Sequence, residues 1–282
     1  MSSVQFLDRP GEPRLAWCID APPTAPVGRV ILIHGYADHS ARFEHVVKAW
    51  NERGLTVARL DLRGHGHSGG ARGHVMHVDE YVGDVRAVLG ALASNPEWTR
   101  VRPRPIVFGH SMGGLVATEL ALVAGTELAG VACTSPFFGP KRRVSALELG
   151  AGKLALRAFP KLRQSSGLSG SDMTHDEKVV QSYDRDPYHF NHVTIGWFFA
   201  MLESQKRVLE RASALQGPLF CIAAGDDRVV SNRATEQFFE RAGCREKELD
   251  VSPSSFHELL NEPDWRHHAG RLAERMLRWS AA

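Results

Sequence analysis

Residues 106–114 read IVFGHSMGG, and the reading of this stretch decides the fold. Strand-compatible residues at 105–108 lead into a glycine, and LVATELALV follows with apolar residues at helical spacing. Strand, sharp turn and helix in that order form a nucleophile elbow, which exposes a serine hydroxyl at the sheet edge beside a helix N-terminus. Gly109 and Gly113 relieve crowding where the backbone doubles back. The pattern G-x-S-x-G occurs a second time, in GHSGG at 66–70, so the pattern alone cannot choose. Ser68 stands in a run of glycines and histidines, with no strand immediately before it and no clear helix after it. Ser111 is therefore the candidate nucleophile, and Ser68 is loop.

Strand-like and helix-like runs alternate on either side of the elbow. RVILIHG at 29–35 is a short, continuous apolar run of the kind found in strands buried on both faces. Similar runs occupy 54–64, 104–110, 128–136, 217–227 and 247–251. Helical patterns lie at 43–53, 78–93, 112–124, 231–242 and 265–279. This alternation predicts an α/β fold, a mostly parallel, doubly wound sheet with helices on both faces. The rhythm breaks at 139–216, where no convincing strand is visible. Helical patterns at 145–159 and 193–215 flank a polar stretch at 164–175. Ligands of open α/β sheets bind beyond the carboxyl ends of the strands, and an insertion after a strand is placed to cover that end. The expected organisation is a core of residues 1–138 and 217–282 with a helical cap, or lid, at 139–216.

A serine hydroxyl needs a base to take its proton and an acid to orient that base. On this topology the partners follow the serine in the order acid, then histidine. GDDRVV at 225–230 closes a strand with two aspartates, Asp226 and Asp227, which the pattern does not separate. FHELLNE at 256–262 places His257 between the last strand and the last helix. Most of the 14 histidines are then bystanders. His34 and His110 flank glycine turns, and His65 and His67 lack an obvious third metal ligand. The oxyanion formed by attack on a carbonyl needs N–H donors. Met112, after the serine, supplies one, and Tyr36, in the turn at Gly35, supplies the other.

Composition narrows the remaining classes. Thirty-four basic and 32 acidic residues give a net charge of +2, which leaves no electrostatic footprint for nucleic acid. The densest basic cluster, 141–143, reads as a solvated face. Cys18, Cys133 and Cys221 sit in apolar, strand-like runs, and no cysteine spacing suggests a zinc or redox motif. They read, with Cys244, as buried thiols of a reducing compartment. The first residues lack a basic start followed by an apolar stretch, and the longest apolar run, 195–202, is far short of the roughly 20 residues that span a bilayer. The expectation is a cytoplasmic protein without metal or cofactor, with peripheral contact with lipid surfaces through the cap left open.

With these residues in place, the chain resembles the monoacylglycerol lipase and lysophospholipase branch of the α/β-hydrolases, the serine aminopeptidase S33-like group. HGYADHSARF (34–43) is similar to that branch's oxyanion loop, DLRGHGHSGGARGHV (61–75) to the loop after its next strand, and GHSMGG (109–114) to its elbow. GDDRVV resembles the acid loop, FHELLNE the histidine loop, and YDRDPY (183–188) a short cap motif. The resemblance covers nearly the whole chain and implies Asp227 as the acid. Where some lipases of the branch carry a cysteine shortly after that aspartate, this chain has VVSN. The resemblance further implies a serine carboxylester hydrolase acting on monoacylglycerols, lysophospholipids or similar single-chain esters. Its cap would accept the acyl chain against Trp197, Phe198, Phe199, Met201 and Leu202. The competing readings are a peptidase, thioesterase or carbon–carbon hydrolase with the same machinery, or a binding protein with little turnover.

Overall fold

The computed structural model describes residues 3–101, 103–142 and 144–281; Arg143, in the basic cluster, lies outside them. The strands are β1 (Gln5–Arg9), β2 (Glu12–Asp20), β3 (Gly28–Ile33), β4 (Leu55–Leu60), β5 (Ile106–His110), β6 (Gly130–Thr134), β7 (Arg163–Ser165), β8 (His192–Thr194), β9 (Leu219–Ala224) and β10 (Lys247–Ser252). The helices are α1 (Glu44–Asn51), α2 (Asp79–Leu92), α3 (Pro96–Thr99), α4 (Met112–Ala124), α5 (Ala146–Ala158), α6 (Glu177–Tyr183), α7 (Ile195–Arg211), α8 (Asn232–Arg241) and α9 (Trp265–Ala281). Eight strands form one sheet in the order β1-β2-β4-β3-β5-β6-β9-β10. β2 pairs antiparallel with β1 and β4, and the pairs from β4 to β10 are parallel.

The continuous apolar runs are explained by burial on both faces. In β3, Val30 and Leu32 join the core made with Val46, Trp50, Leu272 and Met276 of α1 and α9. Ile31 and Ile33 join the opposite core with Val85 of α2 and Leu115 and Val116 of α4. Alternate residues of a strand point to opposite faces, so both sets must be apolar. α4 is buried at every residue from Met112 to Ala121, as expected of a helix that is apolar all round.

Two features depart from the sequence reading. Residues 1–15 were read only for a leader, yet β1 forms a hairpin with β2, which holds the strand-like run around Cys18, at the sheet edge, closed by Gly11 at φ 75°. The segment read as free of strands holds β7 and β8, paired antiparallel, and the additional helix α6. The two strands are three residues each, too short to show alternation, and their pairing joins positions about thirty residues apart. α7 begins over the carboxyl ends of the strands, capped by Thr194 Oγ1 accepting the Trp197 N–H at 3.2 Å. Its later turns lie on α4, where Ser204 Oγ donates to Glu119 at 2.7 Å and Val208 enters the main core.

Candidate active site

Ser111 sits between β5 and α4 at φ 54° and ψ −117°. A non-glycine residue holds such a conformation only where its surroundings over-determine it. Here the Ser111 N–H donates to Thr134 O at 3.0 Å and its carbonyl accepts from Phe137 N–H at 3.0 Å. The glycines beside it are obligatory. A Cβ on Gly109 would lie 2.1 Å from Gly113 O, and one on Gly113 would lie 2.2 Å from Ile33 O.

The loops after β9 and β10 bring two further groups to this turn. His257 Nε2 lies 2.8 Å from Ser111 Oγ, and His257 Nδ1 lies 2.8 Å from Asp227 Oδ2. The other carboxylate oxygen, Oδ1, accepts the N–H groups of Val229 and Val230, each at 2.8 Å. The carboxylate can only accept, so the Nδ1 proton faces it and the Nε2 lone pair faces the serine hydroxyl. Asp226 is exposed, with Arg228 3.9 Å away. Burial and fixed hydrogen bonds thus distinguish the two aspartates.

The electrostatics favour an imidazolium at this place. Burial alone would lower the pKa of His257, but the charge and hydrogen bond of Asp227, with Glu258 and Asp38 beyond it, raise it above the ordinary histidine value. Burial alone would likewise raise Asp227; the facing His257, its hydrogen bond and the two N–H groups hold the carboxyl below its ordinary value. His110 lies 5.0 Å from the His257 ring, and its own pKa is pushed down to about 3 by burial and by His257. It stays neutral and bonds Thr134 Oγ1 at 3.1 Å.

Met112 is the first residue of α4, so its N–H is one of the donors a helix leaves without an internal acceptor. Tyr36 lines the same cavity as Ser111, at a turn that places Ala37 at φ 58°. The Tyr36 hydroxyl donates to Gly73 O at 2.9 Å, and its ring lies 3.8 Å from that of Trp197. Ser68 sits apart from this centre, its hydroxyl oxygen accepting the Ala16 N–H at 2.8 Å. His65 and His67 do not converge: His65 Nδ1 bonds Arg63 O at 3.0 Å, and His67 Nε2 bonds Tyr188 at 2.8 Å.

A cavity of about 890 Å³ includes Ser111 in its wall, and much of its lining comes from between Pro140 and Phe199. Its apolar walls include Phe137, Ile195, Trp197, Phe198 and Phe199, and its polar end includes Asp38, Arg42, Tyr183 and Glu258. Of the residues the resemblance put forward for the acyl chain, Trp197, Phe198 and Phe199 line this cavity. Met201, one turn further along α7, is buried where that helix passes onto α4, and is not among the residues lining the cavity. The polar end escaped the sequence reading. Its residues lie within quoted motifs, but the partnership of positions 42, 183 and 258 leaves no local pattern.

Comparisons with known proteins agree with this architecture. Residues 24–264 match the family described as serine aminopeptidase, S33. The chain is 31% identical to a monoacylglycerol lipase of Mycolicibacterium smegmatis over 90% of this chain and 89% of that protein. It is 30% identical to phospholipase YtpA of Bacillus subtilis, over 85% of this chain and 91% of that protein. The structure superposes on the monoacylglycerol lipase of Paleococcus ferrophilus with a TM-score of 0.84 and 22% identity, over 94% of this chain and 99% of that one. The chain belongs to the serine aminopeptidase S33 family of α/β-hydrolases.

Proposed function

We propose that the chain is a serine carboxylester hydrolase that cleaves single-chain acyl esters, such as monoacylglycerols or lysophospholipids, through an acyl-enzyme. The observation that carries this reading is the hydrogen-bonded row Asp227–His257–Ser111, open at its serine end to a cavity that offers both an apolar wall and polar groups. Ser111 Oγ attacks the ester carbonyl as His257 Nε2 takes its proton. Asp227 holds the imidazole in the required tautomer and stabilises the imidazolium. The N–H groups of Met112 and Tyr36 hold the oxyanion. His257 then gives the proton to the departing alcohol, and water cleaves the acyl-enzyme with His257 again as base.

Residues 139–216 act as the cap. The cavity volume lies near the upper end of the roughly 300–1,000 Å³ usual for small-molecule sites, with room for an acyl chain and a head group together. Trp197 and Phe198 contact the chain, and the polar end takes the head group. The names of the relatives, a monoacylglycerol lipase and a phospholipase, support this substrate class. Peripheral contact with a lipid surface is supported by α5, none of whose residues is buried; Leu147 and Leu154, seven positions apart, are 83% and 72% exposed. Among the described residues, no helix is long and apolar enough to cross a membrane.

Hydrolysis of nitrophenyl esters of increasing acyl length, followed by monoacylglycerol and lysophospholipid of matched chain, tests the reading. The expected result is a kcat/KM that rises from acetate toward medium or long chains. Activity confined to acetate and butyrate would contradict a lipid substrate. Co-sedimentation with anionic and neutral vesicles reads the surface contact; the doubly substituted Leu147→Ser/Leu154→Ser chain should remain in the supernatant where the wild type sediments. Equal distribution of the two would remove α5 from the proposal.

A further inference from the structure

Glu258, at the polar end of the cavity, is a buried carboxylate that takes no part in the chemical steps above. It follows His257 directly in the chain and is only 6% exposed. Four donors converge on it. Arg42 Nη2 reaches Oε2 at 2.8 Å and Arg42 Nη1 reaches Oε1 at 3.3 Å, while Asn261 Nδ2 reaches Oε2 at 2.7 Å. The fourth is the hydroxyl of Tyr183, the last residue of α6. A charge is kept out of water at such cost only where its partners satisfy it fully, and removal of one partner is then felt strongly.

These contacts join three parts of the molecule. Arg42 belongs to the loop that also carries Tyr36, Glu258 to the loop that carries His257, and Tyr183 to the cap segment. The ties between cap and histidine loop continue in the backbone. Glu258 N–H donates to Met173 O at 2.8 Å, and Thr174 Oγ1 donates to Asn261 O at 2.8 Å. His175 N–H donates to Glu262 Oε2 at 3.0 Å, while Glu262 Oε1 accepts the Phe256 N–H at 2.6 Å. Glu258 is therefore held by Met173 directly, and Phe256 is tied to His175 through Glu262. The guanidinium of Arg42 also lies over the Tyr183 ring, 4.2 Å from its centroid.

We infer that Glu258 is a positioning residue that couples the seating of the cap, through Tyr183 and Met173, to the placement of His257 against Ser111. This rests on the catalytic reading above and adds a consequence to it: the cap is required for the chemical step, and not only for holding a long acyl chain. An ester too short to touch the cap walls is then as dependent on Tyr183 and Glu258 as a long one. Misplacing a catalytic base by an ångström is enough to cost on the order of 100-fold in rate.

The charge has a second effect that a purely structural role would lack. Asp227, Glu258 and Asp38 favour the protonated form of His257; the Arg42 guanidinium, paired with Glu258 and Asp38, opposes it, and His110 and Ser111 beside the ring are neutral. His257 must be neutral to act as base, so kcat/KM falls as pH drops through its raised pKa. Glu258→Gln keeps the shape and removes one negative charge, which moves that acid limb to lower pH.

The test compares kcat, KM and the pH profile of kcat/KM for wild type, Glu258→Gln and Tyr183→Phe, on nitrophenyl acetate and on a long-chain ester. Melting temperatures are measured alongside. Glu258→Gln is expected to lower kcat on both esters by roughly 10- to 100-fold and to shift the acid limb downward. Tyr183→Phe keeps the ring over Arg42 and is expected to lower kcat on both esters by roughly three- to tenfold, with the acid limb unmoved. A change in KM for the long ester alone, with acetate turnover unaltered, would overturn the inference and leave both residues as lining. An acid limb that stays in place in Glu258→Gln, with losses that follow the melting temperature, would equally overturn it. Should Glu258→Gln fail to fold, unaltered kcat of Tyr183→Phe on both esters overturns the coupling. Wild-type chain without ester turnover would instead contradict the proposed function itself, before any variant is compared.

Discussion

Replacing Ser111 by alanine is expected to lower kcat for ester hydrolysis by roughly 10⁴- to 10⁶-fold, leaving KM nearly unchanged. The loss is large because the hydroxyl is the atom that His257 activates from 2.8 Å away. The fold should survive, since what holds the turn is backbone: the Ser111 N–H and carbonyl each have partners at 3.0 Å, and alanine keeps both. Alanine at 111 still occupies a positive φ, so the strain is retained and not relieved. Ser68→Ala is the matching control for the second G-x-S-x-G. It removes the acceptor of the Ala16 N–H, so it should lower the melting temperature while leaving kcat within a few-fold of wild type. Equal activity of wild type and Ser111→Ala would remove the serine from the mechanism.

Asp227→Asn is expected to cost roughly 10⁴-fold in kcat. The asparagine carbonyl can still accept from Val229 and Val230, so the side chain should stay in place. Its amide then presents a donor to His257 Nδ1, which favours the tautomer with the proton on Nε2 and leaves no lone pair for the serine. The imidazolium also loses its principal partner. Asp226→Asn, one residue earlier and exposed, should leave kcat within about a factor of two. Steady-state kinetics of the two single variants decide between the aspartates; equal losses, or a larger one at Asp226, would reverse the assignment.

The features legible in the sequence were those with a local physical signature. β3, β5 and β9 are short apolar runs because both faces of the sheet are covered, and the elbow is framed by residues within a dozen positions of Ser111. His257 stood out because chain order and its place after the last strand left few rivals. Asp227 did not stand out on composition, since its neighbour is chemically identical; the difference is burial and two N–H bonds, which only the folded loop creates. β1 was missed because an edge strand with exposed residues has no continuous apolar run. β7 and β8 were missed because their pairing is distant in the chain. Arg42, Tyr183 and Glu258 were missed for the same reason: three segments more than seventy positions apart supply one buried cluster, and each residue alone reads as a solvated charge or a lid aromatic.

The claim at the centre of this account is that acyl transfer passes through Ser111. Mass spectrometry of wild-type enzyme, acid-quenched during turnover of a slowly deacylated nitrophenyl ester, reads that step directly. The peptide containing Ser111 should carry one acyl mass that appears with the nitrophenol burst, decays as turnover proceeds, and is absent from Ser111→Ala. Sustained turnover with Ser111 unmodified at every quench time, or the acyl mass on the peptide containing Ser68, would contradict it.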